Sequence, residues 1–400
     1  MLKEWIEYSG NEISDLITKG ASPRWQGFEY QNSGCVFITS ENVRDGYLDV
    51  ESPKYLPIEF HKKQRNSQLR KNDILINIVG ASIGRVCVYD GRFENANVNQ
   101  AVCVFRPSAK TVPEFLSYYF QAPHVKRILL GSKSDSARPN LSLTDFRDFT
   151  FLLPPLPEQL KIAAILRTWD EGIEKWNNFR SVLKKKRKLI IQKFFSSKNL
   201  PSVRLADVAT IIVSNVDKKS DSSQRQVLLC NYMDVFYNRY ITSKISFMSA
   251  TASDREIETY FLKKGDAIFT KDSETPDEIA VCATLEEAIP NLVCGYHLAI
   301  ARPNFKEITG TYLAEAINSP QIHHAFVRCA NGATRFGLTR GDIDEIKIPL
   351  PDLEEQEKIM VSINACDHSL KLIEKRIDIL KTQKRGLMQK LLTGKWRVKL

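Results

Sequence analysis

The 400-residue sequence lacks the signatures of membrane, secreted and zinc-binding proteins. No apolar run is long enough to cross a bilayer, and the first five residues do not resemble the start of a signal peptide. The eight cysteines include no C-x-x-C pair, and most lie in apolar runs, as Cys87, Cys103 and Cys230 do. We therefore expect a cytoplasmic protein with reduced cysteines, no disulfide framework, no metal site and no membrane partner.

Catalytic motifs are also missing. The sequence has no Asn/Asp-Pro-Pro-aromatic motif for amino-methylation, no G-x-G-x-x-G and no Walker loop. Residues 80–84 have spaced glycines without a helical pattern after them, and the acids of residues 351–358 lie too close together for a PD…ExK nuclease. His323 and His324 are adjacent on a predicted helix and so point in different directions. We expect a chain that is not itself an enzyme and binds no cofactor.

Acidic residues are scarce where basic residues are densest. Residues 175–198 contain nine Lys or Arg and no acid, and residues 375–400 contain nine and a single acid, Asp378. Cations near helix C-termini complement the helix dipole, which accounts for part of this pattern. The net charge of +10 and the isoelectric point of about 9.1 also indicate an anionic partner. DNA is the most common such partner for a cytosolic protein.

A long internal repeat organises the chain. Residues 153–195 and 350–392 align without a gap at an offset of 197, and 12 of the 43 positions are identical. Further upstream, Pro123 matches Pro320 at the same offset, whereas Asn72 matches Gly265 at an offset of 193. The scaffold is therefore repeated, whereas the loops differ in length. We infer two copies of one structural unit, each ending in a long helix.

Each repeated helix carries a heptad of apolar residues with 4-3 spacing, which favours a coiled-coil seam. Arg187 and Lys384 interrupt the two heptads at the same position. We predict that the helices pack on each other, antiparallel, as one rod. The alternative is two unrelated surface helices, each packed on its own domain. The predicted seam consists of Ile162, Leu166, Trp169, Ile173, Trp176, Leu183, Ile190, Ile359, Ile363, Leu370, Ile373, Ile377, Leu380 and Leu387.

The repeat predicts an α+β fold with two mostly-β domains in tandem, related by a pseudo-twofold and separated by the two long helices. We place the first domain at residues 1–150, the first spacer helix at 151–198, the second domain at 199–347, and the second spacer helix with the tail at 348–400. In the first domain, residues 5–20 look like a short helix. Short β-like runs follow at 35–39, 47–50, 73–79, 85–89 and 101–106. Pro123 breaks or bends a predicted helix at 114–130.

Several motifs, at this order and spacing, resemble those of the DNA-specificity subunits of type I restriction–modification systems. They are the duplicated L-P-P/D-L-x-E-Q-x-K-I, LLTGKWRV at 391–398, KKGDAIFTKDSETPDEIAV at 263–281, NDILINIVGASIGRV at 72–86 and NVNQAV at 97–102. The resemblance covers essentially the whole chain. It implies two target-recognition domains, each reading half of a bipartite sequence in double-stranded DNA. It also implies spacer helices that hold two modification (methyltransferase) subunits, with restriction subunits joining that core. S-adenosylmethionine, ATP and Mg²⁺ are then expected on the partner subunits.

Base readout requires forked hydrogen-bonding groups, such as Arg on guanine or Asn and Gln on adenine. Loops that carry such groups and differ between the repeats are the candidates for DNA contact. The alternative for each is a structural or merely solvated role. In the first domain the candidates are Ser82, Arg85, Asn97, Asn99, Gln100, Lys133, Arg138 and Asn140. In the second they are Tyr232, Asn238, Arg239, Lys271, Asp272, Glu274 and Arg335. By contrast, Tyr296 and His297 look like strand structure.

The length of the predicted seam also suggests that the helix pair sets the distance between the two half-sites, as a ruler would. From Ile162 to Phe194 it spans 32 residues, or about 48 Å at roughly 1.5 Å per residue. Half-sites on one face of B-DNA lie roughly 34–36 Å apart, so a rod of this length fits that scale. Two other functions stay open: a stand-alone nuclease or methyltransferase, and a coiled-coil protein-interaction scaffold without DNA readout.

Overall fold

The computed structural model describes residues 4–131, 140–196, 200–218 and 221–399. The chain divides into two compact units. The first comprises the described residues up to Asn177 and those from Lys375 onward, and the second comprises those from Asn178 to Glu374. Each unit therefore contains one mostly-β domain together with a part of both long helices, Leu156–Phe195 and Leu353–Leu391. This partition cuts each spacer helix in two, unlike the boundaries expected from the sequence.

The first unit contains nine strands among its described residues. They are β1 (Ile6–Ser9), β2 (Ser14–Lys19), β3 (Cys35–Ile38), β4 (Lys54–Leu56), β5 (Ile74–Asn77), β6 (Val86–Val88), β7 (Ala96–Val98), β8 (Val102–Pro107) and β9 (Thr150–Leu153). Its short helices are Ile58–Lys63, Pro113–Gln121, Pro123–Gly131 and Leu143–Asp148, with 3-10 turns at Arg24–Gln26 and Arg65–Ser67. The strands form sheets in the orders β1-β9, β2-β8-β5-β6 and β4-β3-β7.

The second unit repeats this plan. Its strands are β10 (Ser202–Arg204), β11 (Ala209–Val213), β12 (Arg225–Cys230), β13 (Tyr240–Ile241), β14 (Met248–Ala252), β15 (Ala267–Thr270), β16 (Asp272–Ser273), β17 (Cys282–Leu285), β18 (Leu292–Cys294), β19 (Leu298–Pro303), β20 (Phe336–Gly337) and β21 (Lys347–Pro349). Its short helices are Leu205–Val208, Tyr232–Phe236, Asp254–Tyr260, Gly310–Asn318, Pro320–Cys329 and Arg340–Asp344, with a 3-10 turn at Pro276–Glu278. Its sheets run β10-β21, β11-β19-β15-β17-β13, β14-β12-β18 and β16-β20.

The two domains share the order and pairing sense of their common strands, to which the second domain adds β13 and the pair β16-β20. The opening strand of each domain pairs antiparallel with its closing strand, β1 with β9 and β10 with β21. In the three-stranded sheets, β3 pairs parallel with β7 as β12 does with β18. A buried carboxylate pairs with an arginine at the same place in both domains: Asp73 with Arg106 at 2.7 Å and Asp266 with Arg302 at 2.8 Å. The repeat inferred from the sequence is therefore a repeat of the whole domain.

The apolar face of each long helix contributes to the cores of both units. All 14 predicted seam residues are buried or half-buried. In the first unit, Ile162 and Leu166 share a core with Met388 and Leu391 from the end of the second long helix. In the second unit, the corresponding core contains Ile191 and Phe195 with Ile359 and Ile363. Each helix end thus packs both on a domain and on the other long helix.

Within each unit, an ion pair links the two long helices at the break in the heptad. In the first unit, Lys384 Nζ lies 2.5 Å from Asp170 Oδ1. In the second, Arg187 Nε lies 2.6 Å from Asp367 Oδ1. In both pairs an early residue of one helix meets a late residue of the other, so the helices run antiparallel in each unit. The repeat offset of 197 turns one pair into the other.

A buried glutamine fixes the start of each long helix. Gln159 Oε1 accepts from the backbone N–H of Val112 at 2.9 Å, and its Nε2 donates to the carbonyls of Lys110 and Pro154. Gln356 does the same with Thr309, Glu307 and Pro351. Because a buried amide is costly unless its donor and acceptor are both satisfied, this residue ties the helix start to its domain.

Two local expectations were wrong. Residues 5–20 contain β1 and β2 instead of a helix, because each strand finds a partner far along the chain, β9 and β8. Residues 47–50 form no strand; the backbone turns at Gly46, and only Val43 and Leu48 make an isolated bridge. The break at Pro123 was confirmed, since Pro113–Gln121 ends just before it and Pro123–Gly131 begins there.

The cysteines are free thiols, and seven of the eight are buried. Burial raises the pKa of Cys35 to about 11 and that of Cys87 to about 12. These thiols therefore stay protonated near neutral pH and act as small apolar side chains. None of the described helices has a stretch that is both long and apolar enough to span a membrane.

Replacing Gln356 with Leu should destabilise the second unit by about 2–4 kcal/mol, because the Thr309 N–H and two carbonyls lose their partner in a buried setting. Urea unfolding followed by circular dichroism measures the change. Ser362→Ala is the control, since Ser362 is exposed on the same helix and should change stability by less than about 0.5 kcal/mol. Equal stability of Gln356→Leu and the wild type would contradict the anchoring role.

Candidate nucleic-acid interface

Three chain segments meet at one end of the five-stranded sheet of the second unit. Lys271 follows β15, and His297 precedes the antiparallel neighbour β19, so both lie at the same end of this sheet. The backbone N–H of Lys271 donates to the His297 carbonyl at 3.0 Å, and the N–H of Leu338 donates to the Lys271 carbonyl at 2.9 Å. We call this three-segment arrangement the junction of the second domain: residues 271–280, 295–297 and 335–338.

The side chains of this junction surround one carboxylate. Asp272 Oδ1 lies 2.7 Å from His297 Nδ1 and 3.2 Å from Arg335 Nη2, and Asp272 Oδ2 lies 3.6 Å from Lys271 Nζ. Lys271 Nζ also sits 4.4 Å from the ring centroid of Tyr296, at cation–π distance. The ammonium of Lys271, the imidazole of His297 and the guanidinium of Arg335 thus surround the Asp272 carboxylate beside the half-exposed Tyr296 ring. Groups of these kinds are suited to reading base edges.

The first unit has a junction with the same backbone frame, formed by residues 78–85, 99–101 and 140–141. Ile78 follows β5 and Ala101 precedes β8, its antiparallel neighbour. The N–H of Ile78 donates to the Ala101 carbonyl at 3.0 Å, and the N–H of Leu141 donates to the Ile78 carbonyl at 2.9 Å. These are the counterparts of the bonds at Lys271. Two backbone hydrogen bonds therefore define the same junction in both domains.

The two junctions share this frame and differ in side chains and loop length. The bridge between Val79 and Asn140 corresponds to the pair of Asp272 and Gly337. The loop after β5 spans residues 78–84 and the loop after β15 spans residues 271–280, three residues longer. Each loop ends on a residue with positive φ, 78° at Gly84 and 60° at Ala280. The backbone ends of the loops are thus equivalent, although the residues between them are not.

Most of the candidates of the first domain lie on its junction. The Ser82 hydroxyl accepts a hydrogen bond from Asn77 Nδ2 at 3.0 Å, and Asn99 Oδ1 accepts from the Ala101 N–H at 3.1 Å. Gln100 and Asn140 are exposed, and half-buried Arg85 has no acidic partner among the described residues. Lys133 and Arg138 lie outside the described residues. The residues of this group with free polar ends are therefore Arg85, Gln100 and Asn140.

The structure contradicts the DNA contact predicted for Asn97. Its side chain is fully buried on β7, where Nδ2 donates to the Gln64 carbonyl at 2.9 Å and to Ser67 Oγ at 2.8 Å. Its Oδ1 accepts from Cys35 Sγ at 3.2 Å. The amide holds the Arg65–Ser67 turn against the sheet and has no hydrogen-bonding group left for a base.

Arg239, another predicted DNA contact, is half-buried, and ion pairs inside the second unit engage its guanidinium. It makes ion pairs with Asp367 on the second long helix and with Glu315, a carboxylate only 3% exposed. Arg187 pairs with the same two acids, so two guanidinium groups neutralise two carboxylates. Desolvation lowers the pKa of Arg239. The cluster ties the domain to both long helices within the second unit.

The first unit uses a simpler version of this cluster. Tyr118 occupies the place of Glu315 at the repeat offset of 197, and its hydroxyl donates to Asp170 Oδ2 at 2.7 Å. Lys384 Nζ lies 5.0 Å from the centroid of the Tyr118 ring. Burial raises the pKa of Tyr118, with a further contribution from its hydrogen bond to Asp170. In the first unit, the neutral Tyr118 hydroxyl thus takes the place of the buried Glu315 carboxylate, so no counterpart of Arg239 is required to balance a charge.

The remaining candidates of the second domain have local partners. The Tyr232 hydroxyl donates to Ser273 Oγ at 3.3 Å, which brings it to the edge of the junction. Asn238 Nδ2 donates to the Asp234 carbonyl at 2.9 Å and closes the end of a short helix. Glu274 is exposed on the longer loop. Tyr232 and Glu274 thus remain candidates for contact, whereas Asn238 has a structural role.

Sequence reasoning missed Tyr296 and His297, which lie inside the second junction. They match Gln100 and Ala101 when the repeats are aligned on β18 and β7, at an offset of 196, so this alignment could have identified them. Sequence reasoning also did not single out Trp25 as an exposed aromatic residue; it is 89% exposed on the Arg24–Gln26 turn. No group of His, Cys, Asp or Glu within the described parts of the chain is arranged to hold a metal ion.

Comparison with known proteins agrees with this duplicated architecture. Residues 3–183 and 198–382 each match the family described as the type I restriction modification DNA specificity domain. The chain belongs to this family. A putative type I restriction enzyme MjaX specificity subunit from Methanocaldococcus jannaschii is 23% identical, over 99% of this chain and 95% of that protein. The chain is thus a DNA-recognition subunit carrying two specificity domains, and this class of subunit is not catalytic.

Solved structures support the same fold for this specificity subunit. A chain from a structural study of complex assembly and conformational transition in a type I restriction–modification system superposes with a TM-score of 0.63 at 18% identity, covering 98% of each chain. The specificity subunit from M. genitalium gives 0.55 at 15% identity, covering 100% of this chain and 97% of that chain. The fold expected from the sequence repeat was confirmed.

Replacing Arg239 with Ala should destabilise this specificity subunit by about 3 kcal/mol, because it leaves the buried Glu315 with Arg187 alone. Urea unfolding measures the loss. Arg225→Ala is the matched control, since its ion pair with Asp254 is exposed and contributes less than about 1 kcal/mol. A variant with wild-type stability but weaker DNA binding would instead restore Arg239 as a DNA contact.

Proposed function

We propose that the junction of each domain reads one half of a bipartite target in double-stranded DNA. The observation that carries this proposal is the repeated backbone frame: the hydrogen bonds at Ile78 recur at Lys271 while the side chains around them differ. A duplicated core that only supported a protein scaffold would have no need of divergent polar loops at one matching place. Two domains that read two different half-sites would need such loops.

The side chains of each junction suit base edges in the major groove. In the first domain, Gln100 and Asn140 are exposed amides, whose paired donor and acceptor match the N6 and N7 edge of adenine. In the second domain, Lys271 and Arg335 supply donors, and Asp272 lies between them as their ion-pair partner. The two junctions therefore differ in the bases they favour.

The proposed division of the chain follows from these sites. Residues 1–150 and 199–347 would be the two target-recognition domains, and residues 151–198 and 348–400 the spacer helices with the tail. The paired helices would set the distance between the half-sites and dock two modification subunits. Restriction subunits would complete the complex in the cytoplasm. The partner subunits would bind S-adenosylmethionine, ATP and Mg²⁺, consistent with the absence of catalytic motifs in this sequence.

The basic stretches fit a role beside DNA. Residues 175–198 and 375–400 together carry more positive charge than the net +10 of the chain. Lys184, Lys185, Lys186 and Lys188 are exposed. Lysines of this kind contact phosphates without sequence preference and make binding sensitive to salt. This arrangement leaves sequence discrimination to the junctions.

The proposal is tested by expressing the full chain with its modification subunit in cells that lack other DNA methylation, and mapping methylated bases by long-read sequencing. We expect one bipartite motif. Replacing Gln100 and Asn140 together with Ala should relax base preference by roughly 5- to 100-fold in one half only, as expected for lost base contacts. Gln31→Ala, an exposed amide elsewhere in the first domain, should leave the motif unchanged.

The rival scaffold reading makes the opposite prediction. If the purified chain, alone and with its modification subunit, showed no salt-sensitive binding to duplex DNA in a gel shift, a role in protein assembly only would replace the present proposal. Methylation by the purified chain in the absence of any other subunit would instead indicate an enzyme.

The helix pair predicts the length of the unread gap. Four residues inserted after Ser181 and four after Ile373, which lie opposite each other in the register set by Arg187 and Asp367, add about 6 Å of helix. The mapped motif should then gain one or two base pairs between its halves, because roughly 3.4 Å of DNA corresponds to one base pair. The same insertion after Gly91, in an exposed turn, should leave the gap unchanged. If the gap keeps its length after the helix insertion, the paired helices do not set the distance between the half-sites.

A further inference from the structure

We infer that Arg335 reads a guanine in the half-site of the second domain, held in reading position by Asp272 and His297. The inference deepens the proposed function and rests on it. It assigns one base identity to one side chain. It also makes Asp272 and His297 positioning residues for that side chain.

The contacts of Arg335 leave most of its guanidinium available. Among the described residues, its side-chain contacts all involve the Nη2 atom, which lies 3.2 Å from Asp272 Oδ1 and 3.0 and 3.3 Å from the two ring nitrogens of His297. Nη1 and Nε bond to no residue in the described ranges. The side chain is 59% exposed. One edge of the fork is thus anchored, whereas the rest faces solvent.

The anchor itself is rigid. Asp272 is only 15% exposed and lies on β16, where it pairs through its backbone with Gly337 on β20. His297 Nδ1 lies 2.7 Å from the same carboxylate oxygen that faces Arg335. A preformed support of this kind reduces the side-chain entropy lost when the arginine engages a base.

The turn that carries Arg335 is also constrained. Gly332 has a φ of 141°, and a Cβ atom at this position would lie 1.9 Å from the Arg335 carbonyl oxygen. Asn331 and Gly337 exchange backbone hydrogen bonds across the turn, at 3.0 and 2.9 Å. The turn is therefore closed without the Arg335 side chain, so a role as a structural clip does not explain this residue.

The charge around Arg335 favours a base over a phosphate. An arginine that binds the DNA backbone gains from an excess of cations nearby. Here Lys271 is offset by Asp272, which lies 3.6 Å from it and also contacts Arg335, and Glu274 is exposed on the adjoining loop. Acidic groups repel phosphates but leave a neutral base unaffected. Among the bases, guanine presents two acceptors, O6 and N7, in the major groove, and these match two guanidinium N–H groups.

The first junction lacks this support. At the positions that match Asp272 and His297 it has Val79 and Ala101, neither of which can hold a guanidinium. Arg138, at the repeat offset from Arg335, lies outside the described residues. Among the described residues, an arginine held by an acid and a histidine is therefore found at the second junction and not at the first.

The test maps the methylated motif made by the full chain with its modification subunit, for the wild type and for Arg335→Gln. The half-site that is insensitive to the double change at Gln100 and Asn140 should contain a guanine at one position. Arg335→Gln should lower the preference for that guanine by about 10- to 100-fold, or shift it to adenine. Arg340→Gln, five positions away and exposed, should leave the motif unchanged.

A binding measurement gives an independent readout. Replacing the assigned guanine by 7-deazaguanine removes the N7 acceptor, which should weaken the wild-type complex but not the complex of Arg335→Gln. Asp272→Asn, which keeps the arginine but removes the charge beside it, should raise affinity for unrelated duplexes and reduce discrimination.

The outcomes distinguish failure of the proposed function from failure of the Arg335 assignment. A wild-type complex that yields no bipartite motif overturns the proposed function and this assignment with it. Two results overturn the assignment alone. One is a bipartite motif in which Arg335→Gln retains the full preference for the guanine, and the other is a motif whose second half contains no guanine. Circular dichroism of each variant establishes that it is folded.

Discussion

One ion pair between the long helices, present once in each unit, is the constraint on which the rest of the structure depends. Lys384 and Arg187 put charges at positions where a heptad places apolar residues, and each pairs with an acid of the other helix, Asp170 and Asp367 respectively. A half-buried charge is tolerated only next to its partner, so a helix that slid by one turn would leave both groups unpaired. The pair therefore selects one antiparallel register. Because the same helix ends lie in the domain cores, that register also determines where each sheet sits on its helices.

The duplicated frame and its local differences perform separate tasks. Backbone hydrogen bonds at Ile78 and Lys271, and the buried glutamines Gln159 and Gln356, recur in both units and fix geometry. Side chains at the junctions do not recur, and neither does the environment of the ion pair, where Tyr118 in one unit corresponds to Glu315 in the other. The second unit balances its additional buried acid with an additional arginine, Arg239. The recurring contacts thus fix the geometry of both units, and the cluster around Glu315 further stabilises the second. In our proposal, recognition depends on the junction side chains that diverged.

The sequence was informative wherever a pattern was long or duplicated. The repeat, the antiparallel helices and the break at Pro123 could be predicted because each depends on periodicity or on proline chemistry. Residues 5–20 could not, since their strands are defined by partners more than 80 residues away in the chain. Asn97 and Arg239 carry the groups expected of a DNA reader, yet Asn97 is fully buried and Arg239 is engaged in ion pairs with Glu315 and Asp367. Residue type alone does not distinguish a polar group that faces solvent from one that satisfies a buried neighbour.

The two backbone hydrogen bonds at each junction have a consequence for how such a protein changes over generations. A backbone contact is formed by almost any amino acid, so substitutions at Gln100, Asn140 or Tyr296 leave the frame intact and cost little folding free energy. The loop after β15 is already three residues longer than its counterpart after β5. If each junction reads one half-site, as we propose, each half can acquire a new preference by a few mutations while the other half keeps its own. On that proposal, two independently varying halves multiply the number of distinct targets available to descendants of one gene.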